Sequence, residues 1–416
     1  LAKREALRLA LQRPLSFLLN CDNEPYLLLT SLTWRISFYQ YISIVNADNV
    51  LINAFDFSII TTWGRIDLAS SIKDILAKAE DMEGLSFEEV LTLLRLPLCS
   101  RETYETMAAA NSMSRRTFGG KGERHFHIGL NVQACRYNCK FCSLTEEAGI
   151  FKEPKEFSDE QVLAWARQGQ EQGADAFNLM TTGQYPLERL LEIGRWLSSE
   201  VRVPLVANTR DISHAEGEAL LAAGFSGFYH AIRVGEGRDT PFPVEKRLNT
   251  IKVLRDVGLR WMNCVEPVGP EHQLEEIARV MLLAREYGAT YSGVMRRINF
   301  PGSPLERHGM INELQMARMV AVSRLVMGDL ARAHCTHEPN SAALMAGANL
   351  FFPEVGSSPR DQEADTGQGR GRDLAACGDI MREMGWDPDL PSNCFSQEAP
   401  ALQPEASCSG ELTPQA

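Results

Sequence analysis

The sequence predicts an α/β chain built around a closed (β/α)8 TIM-type barrel, preceded by an N-terminal helical extension. Three observations carry this expectation. From about residue 158 onward, short β-rich runs alternate with amphipathic stretches. The junctions between them carry Gly, Pro, Asn or Asp. The strand candidates number eight, at 125–130, 176–180, 204–207, 227–231, 259–264, 292–297, 331–335 and 349–352, which is the count that closes a parallel barrel.

Between the strands, apolar residues recur at intervals of three and four over 159–172, 187–198, 215–223, 244–257 and 271–287, the spacing of a helix with one buried face. Gly224, Gly258 and Gly288 follow helix ends, where a left-handed residue satisfies the last carbonyls. Chemistry is expected where the strands end, at the C-terminal mouth of the barrel.

Residues 1–19 and 72–94 read as amphipathic helical regions, with Ser86 ahead of Glu88 and Glu89 as a helix start. The stretch 21–63 is rich in Ile, Leu, Phe, Tyr and Thr without a sustained period, and no element is assigned to it. From Gln397 the chain is rich in Pro, Glu and Ser and has little apolar surface to bury. The expected division is therefore an N-terminal extension over 1–106, the barrel over 107–390 and a disordered tail over 391–416.

A net charge of −12 over 416 residues disfavours nucleic acid and membrane surfaces as partners, because both call for a basic face. No run approaches the roughly 18 apolar residues of a spanning helix, and no cleavable leader pattern is read. A cytoplasmic protein acting on a small molecule is expected. Ten cysteines could make a disulfide framework, but such frameworks suit short chains without a core. Three of them, Cys135, Cys139 and Cys142, lie within eight positions, which suggests thiolates gathered on one metal centre in a reducing compartment.

These three follow the first barrel strand in the segment Asn131-Val-Gln-Ala-Cys135-Arg-Tyr-Asn-Cys139-Lys-Phe141-Cys142. A compact loop there can direct three sulfurs at three irons of a cluster and leave a fourth iron without a protein ligand. A zinc site and a redox thiol pair are the alternatives. Zinc asks for a fourth ligand nearby, and a pair made of Cys139 and Cys142 leaves Cys135 unexplained.

The pattern Cys-x-x-x-Cys-x-x-Cys, with Phe141 before the last cysteine, resembles the signature of the radical S-adenosylmethionine superfamily. Later motifs resemble its biotin synthase-like branch, which includes biotin synthase, a hydrogenase maturase and methylornithine synthase. They are Gly173-Ala-Asp-Ala-Phe-Asn-Leu-Met180, Tyr229-His-Ala-Ile-Arg233, Val268-Gly269, Pro301-Gly-Ser-Pro-Leu305 and Met345-Ala-Gly-Ala-Asn349. The last resembles the C-terminal region shared by enzymes of biotin and thiamine synthesis.

The resemblance implies a [4Fe-4S] cluster on Cys135, Cys139 and Cys142, S-adenosyl-L-methionine as the second cofactor, and a flavodoxin or ferredoxin as electron donor. It implies that a 5′-deoxyadenosyl radical abstracts hydrogen from a small molecule in cofactor or amino-acid biosynthesis. Thr182, Gly183 and Gln184 would then lie against the methionine amine, Phe141 and Val268 beside the cofactor, and Arg233 and Glu236 against its carboxylate and ribose. The family often has Gly-Gly-Glu where this chain has Thr-Gly-Gln, a departure from the pattern.

Biotin synthase carries an auxiliary [2Fe-2S] cluster on barrel-strand cysteines and an arginine. Here the matching places read Asn178, Val206 or Ala207, approximately Cys264, and His337. Rearrangement or fragmentation is therefore expected over sulfur insertion of the biotin or lipoyl synthase type. The other alternative is an iron-sulfur carrier or scaffold without turnover. Strand alternation groups Cys335 and His337 on one face. These two are the candidate catalytic residues, and Cys264, Glu266 and Arg297 are the candidate substrate contacts.

Overall fold

The computed structural model describes residues 71–361 and 373–395. The chain divides into two units at Ala69/Ser70, and the description below concerns the second. The expectations for 1–19, for 21–63 and for the chain beyond 396 lie outside the described residues.

Three helices come first: α1 (Ile72–Glu80), α2 (Phe87–Leu94) and α3 (Arg101–Phe118). The single helical region expected over 72–94 is thus two helices. Ser86 opens α2 through a reciprocal cap, its side chain accepting from the Glu89 N–H while the Glu89 carboxylate accepts from the Ser86 N–H. The eighteen-residue α3 runs across the boundary expected at 106/107.

The barrel follows: β1 (Glu123–Gly129), α4 (Asp159–Glu171), β4 (Ala176–Met180), α5 (Leu187–Glu200), β5 (Leu205–Asn208), α6 (His214–Ala222), β6 (Phe225–Tyr229), α7 (Val244–Val257), β7 (Arg260–Met262), β8 (Val265–Val268), α8 (Leu274–Glu286), β9 (Tyr291–Arg296), α9 (Glu313–Met327), β10 (Ala333–Cys335), α10 (Ser341–Met345), β11 (Leu350–Phe351) and β12 (Glu354–Gly356). A short antiparallel pair, β2 (Asn131–Val132) with β3 (Lys155–Glu156), frames the loop after β1. Helix α11 (Leu374–Glu383) ends the described fold.

Parallel pairing runs β1–β4–β5–β6–β7–β9–β10–β11 and returns to β1. The ring is closed, as expected. The fifth barrel strand is broken at Asn263 and Cys264 into β7 and β8, and the eighth at Phe352 and Pro353 into β11 and β12.

Helix α9 had no counterpart in the sequence reading, and its burial explains why. Every residue from Met316 to Met327 is buried, because the helix lies between strand β9 on one side and helices α3 and α8 on the other. A helix covered all round carries no polar face and hence no readable period. Of two arginines in it, Arg324 is satisfied internally, donating to the Ser114 and Thr117 hydroxyls and to the Gly328 carbonyl at 2.9, 3.0 and 2.7 Å, whereas Arg318 donates to the Leu96 carbonyl and keeps a buried Nε without a partner among the described residues.

Asn349 explains the Ala-Gly-Ala-Asn motif in physical terms. Its Oδ1 accepts the His334 N–H at 2.7 Å, its Nδ2 donates to the Lys121 carbonyl at 2.8 Å, and its own N–H donates to the His334 carbonyl at 2.9 Å. One buried side chain therefore braces the seventh strand, the eighth strand and the entry to the first, where the ring closes. Gly347 is required for a second reason. It has φ +97°, and a Cβ there would lie 2.8 Å from the Ala110 carbonyl oxygen of α3.

The opposite end of the barrel is plugged. The Ser392 hydroxyl and the Asn393 N–H donate to the Glu123 carboxylate at 2.8 and 2.6 Å, and the Phe395 ring lies 5.8 Å from the His125 ring. Residues 391–395, expected in the tail, are packed here. Among the described residues no helix is long and apolar enough to cross a membrane.

Two stability predictions follow from the closure. Asn349→Ala strands the His334 N–H and the Lys121 carbonyl in the core, so urea unfolding should show a loss of about 2–6 kcal/mol, at roughly 1–3 kcal/mol per orphaned group. Burial, with Arg324 nearby, holds the His334 imidazole down to about 3, while the unfolded chain titrates near the ordinary value of about 6.5. The unfolded state binds the proton first, so stability should fall as pH drops from about 6.5 towards 3. His334→Gln, which can still donate to the Val320 carbonyl as His334 does at 2.9 Å, should flatten that slope by up to about 1.4 kcal/mol per pH unit.

Candidate active site

The three thiols belong to a loop that folds back on itself. The Cys135 N–H donates to the Leu144 carbonyl at 2.8 Å, the Glu146 N–H returns to the Cys135 carbonyl at 3.0 Å, and the Cys142 N–H donates to the Cys139 carbonyl at 2.9 Å. Asn138 turns the chain at φ 47°, a conformation Asn tolerates better than most residues. The loop is also tied to its neighbours. The Lys140 N–H donates to the Asp239 carbonyl, the Ser143 N–H to the Pro359 carbonyl, and the Ser303 hydroxyl to the Lys140 carbonyl. Loops after β6, β9 and β12 thereby hold the thiols at the C-terminal mouth.

All three sulfur-bearing residues line one cavity, together with Phe141, Thr182, Gly183, Arg233, Glu236, Glu266, Arg297 and His337. Cys135, Cys139 and Cys142 are free thiols. Burial pushes the Cys139 thiol up to about 11 against the pull of Arg233, and burial drives the Cys142 thiol up as well. Without a positive centre these sulfurs stay protonated; a bound metal inverts that preference, since coordination holds a thiol as thiolate. The donor set fits an iron-sulfur cluster: three convergent sulfurs, and no fourth cysteine among the described residues on this cavity.

Gly183 has a steric reason. A Cβ there would stand 2.1 Å from Cε2 of Tyr137, a ring set between the thiol loop and Phe242, whose centroid is 4.7 Å away. The Thr182 N–H is already taken by the Asn131 side chain at 3.0 Å, and Asn131 donates back to the Thr182 hydroxyl at 2.8 Å. Next to them, the buried amide atoms of Gln184 have no partner among the described residues, a costly state that a polar ligand would relieve.

Arg233 and Glu266 form the centre of the polar wall. Arg233 pairs closely with Glu266, its guanidinium 5.7 Å from the Phe141 ring centroid. Glu266 also accepts from the Tyr229 hydroxyl at 2.6 Å, and that hydroxyl lies 3.1 Å from Nε2 of His337. Burial holds the His337 imidazole well below its ordinary value, so the ring is neutral. Glu236 accepts from the Arg233 N–H at 2.9 Å and lies 3.4 Å from Arg247.

The remaining candidates divide by layer. Arg297 reaches the cavity edge but is held by Glu271, the Asn299 side chain and the Gly309 carbonyl. Val268 packs among Val265, Ile277 and Val294 in the layer under α8 and α9, away from the cavity lining. Cys264 and Cys335 face the barrel interior with Tyr229, Met262 and Phe352, just beneath the cavity. Sequence reading missed Tyr137, Arg210, Phe242, Arg247 and Arg360, which also line it. Tyr137 lies inside the thiol motif and Arg247 on helix α7, while Arg210, Phe242 and Arg360 stand in loops with no motif around them, so only closure of the ring reveals that these side chains meet.

Removing the hub should separate its contributions. Glu266→Leu leaves Arg233 without a counter-charge and should cost about 3 kcal/mol by denaturant unfolding. Adding Arg233→Met should restore most of that loss, a coupling measurable as a double-mutant cycle.

No family model matches the chain. Biotin synthase of Desulforudis audaxviator is 26% identical over 331 residues, spanning 76% of this chain and 96% of that protein. Biotin synthase of Thermus thermophilus is 28% identical over 233 residues, 53% of this chain and 69% of that protein. In structure, methylornithine synthase superposes with a TM-score of 0.66 at 16% identity, over 77% of this chain and 98% of its own. The FeFe-hydrogenase maturase from Carboxydothermus hydrogenoformans gives 0.64 at 17% identity, over 79% and 81%. These two likenesses establish the shared fold. Along most of its length, then, the chain is similar in sequence to biotin synthases, and it shares its closed barrel with methylornithine synthase and the hydrogenase maturase.

Proposed function

We propose that this chain holds a [4Fe-4S] cluster on Cys135, Cys139 and Cys142, binds S-adenosylmethionine beside it, and acts on a small molecule by hydrogen abstraction. The observation that carries the reading is the convergence of three free thiols, Cys135 buried and Cys139 and Cys142 half-buried, on one cavity faced by Arg233 and Glu236. When bound, the two groups together supply a 5′-deoxyadenosyl radical, whose chemistry is theirs and whose placement is the protein's.

The chain's own residues bind, orient and exclude water. Arg233 offers a guanidinium suited to a carboxylate, although Glu266 competes for it, and Glu236 offers acceptors for a diol. The unpartnered Gln184 amide stands next to Gly183, where a cofactor amine would be received. The loop anchors at Asp239, Ser303 and Pro359 restrict solvent entry around the thiols, which protects a reactive intermediate. Arg210, Arg247 and Arg360 on the wall, balanced by Glu236, Glu266 and Glu354, suit an anionic or zwitterionic substrate.

Rearrangement or fragmentation is favoured over sulfur insertion. At the second and third strands, the places where biotin synthase has cluster cysteines hold Asn178 and Val206 or Ala207, and none of these offers a thiolate for a sulfur-donating cluster. A cytoplasmic setting with a flavodoxin or ferredoxin as reductant completes the proposal.

After anaerobic reconstitution, iron and sulfide should each approach four per chain, and reduction with S-adenosylmethionine should release 5′-deoxyadenosine. Replacing Cys135, Cys139 and Cys142 together by serine should abolish both. A count near two clusters would favour sulfur insertion instead, and a single cluster without deoxyadenosine would favour an electron carrier or scaffold.

A further inference from the structure

At the floor of the cavity, two thiols and an imidazole meet to which the proposed function gives no role. The sulfurs of Cys264 and Cys335 and a ring nitrogen of His337 lie within 4.8 Å of one another. Cys264 sits at the break in the fifth strand, Cys335 ends the seventh, and the sixth strand passes between them. The sixth-strand residue level with Cys335 is Gly293. A Cβ on Gly293 would stand 1.8 Å from the Cys335 carbonyl oxygen. Any larger residue there would force the flanking strands apart, and the glycine lets side chains from strands five and seven converge.

We propose that Cys264, Cys335 and His337 form a mononuclear site for a thiophilic divalent cation of the zinc class, at the floor of the cavity. Two thiolates and one imidazole are a common zinc donor set, with metal–sulfur distances of about 2.3 Å and metal–nitrogen distances of about 2.0–2.1 Å. Tetrahedral coordination at those lengths separates the donors by roughly 3.5 Å, so the existing cluster needs only a small inward movement. Three protein ligands leave a fourth position, the arrangement of zinc sites that take a water or substrate atom.

The imidazole is already oriented. The His337 ring stacks on Phe352 at 4.0 Å and 18°, and its Nε2 lies 3.1 Å from the Tyr229 hydroxyl and 3.8 Å from the Glu266 carboxylate. His337, Tyr229 and Glu266 line the cavity while Cys264 and Cys335 lie below it, so the fourth ligand would come from the cavity side. The group Glu123, His125 and Cys394 at the other end of the barrel differs. Its carboxylate is committed to Ser392, Asn393 and His125.

The test uses the full chain carrying Cys135→Ser, Cys139→Ser and Cys142→Ser, so that the upper thiols contribute nothing and the outcome is independent of the proposed function. Addition of Co(II) should give sulfur-to-cobalt charge transfer and the intense visible bands of a tetrahedral site at one equivalent. Zn(II) should displace it. A further Cys335→Ser or Cys264→Ser should weaken Zn(II) binding by about 100-fold or more, and raising Zn(II) should elevate Tm only where both cysteines remain. Should those variants fail to fold, anomalous scattering at the zinc edge from crystals of the unsubstituted protein should show one peak bonded to both sulfurs and His337. Absence of the charge-transfer band, a two-iron cluster on these residues, or a Cys264–Cys335 disulfide that forms in the presence of excess Zn(II) would overturn the proposal.

Discussion

Closure of the strand ring is the constraint on which the rest of the site depends. Asn349 holds the seventh, eighth and first strands in register, and that register aligns the strand ends at one mouth. Residues separated by more than a hundred positions, such as Cys135 and His337, then line the same cavity. Small residues before Asn349 let helix α3 approach, with the Ser114 hydroxyl donating to the Gly347 carbonyl at 2.6 Å. The motif that resembles enzymes of biotin and thiamine synthesis therefore acts here on packing and closure, one step removed from chemistry.

Electrostatics gives the mouth its character. Burying thiols disfavours their charged form, and Cys139 and Cys142 show this directly in their raised values. A cationic cluster would reverse the balance, and Arg233 already pulls in that direction at Cys139. Yet Arg233 is itself neutralised by Glu266, which is shared with Tyr229. The wall is thus a network of paired charges. An incoming ligand competes for these partners, which favours one that brings both an anionic and a hydrogen-bonding group.

Much of the fold was legible because its physics is local. The strand expected at 176–180 matches its observed bounds and the one expected at 227–231 lies two residues earlier, at Phe225–Tyr229, and Gly224, Gly258 and Gly288 cap helices with φ of 93°, 84° and 70°. Legibility failed where burial removed the pattern, as in α9, and where one strand is split by its own geometry, as at Asn263 and Cys264. In the site, the thiol trio could be read because its spacing is set within one loop. Alternation along the strand also placed Cys335 towards the barrel interior. By contrast, Arg210, Arg247 and Phe242 reach the cavity through tertiary structure alone, and Val268 lies on the outward side of its strand. Nothing local distinguishes Arg297 as an anchor for Glu271 and the Gly309 carbonyl from Arg297 as a free cation at a strand end.

The central claim is that three protein sulfurs leave one iron free to accept an amino acid. Electron–nuclear double resonance on the reduced protein with S-adenosylmethionine carrying nitrogen-15 at its amine tests that claim directly. The account requires a nitrogen coupling large enough to mean a bond to iron. A cluster spectrum unchanged by the cofactor would contradict it.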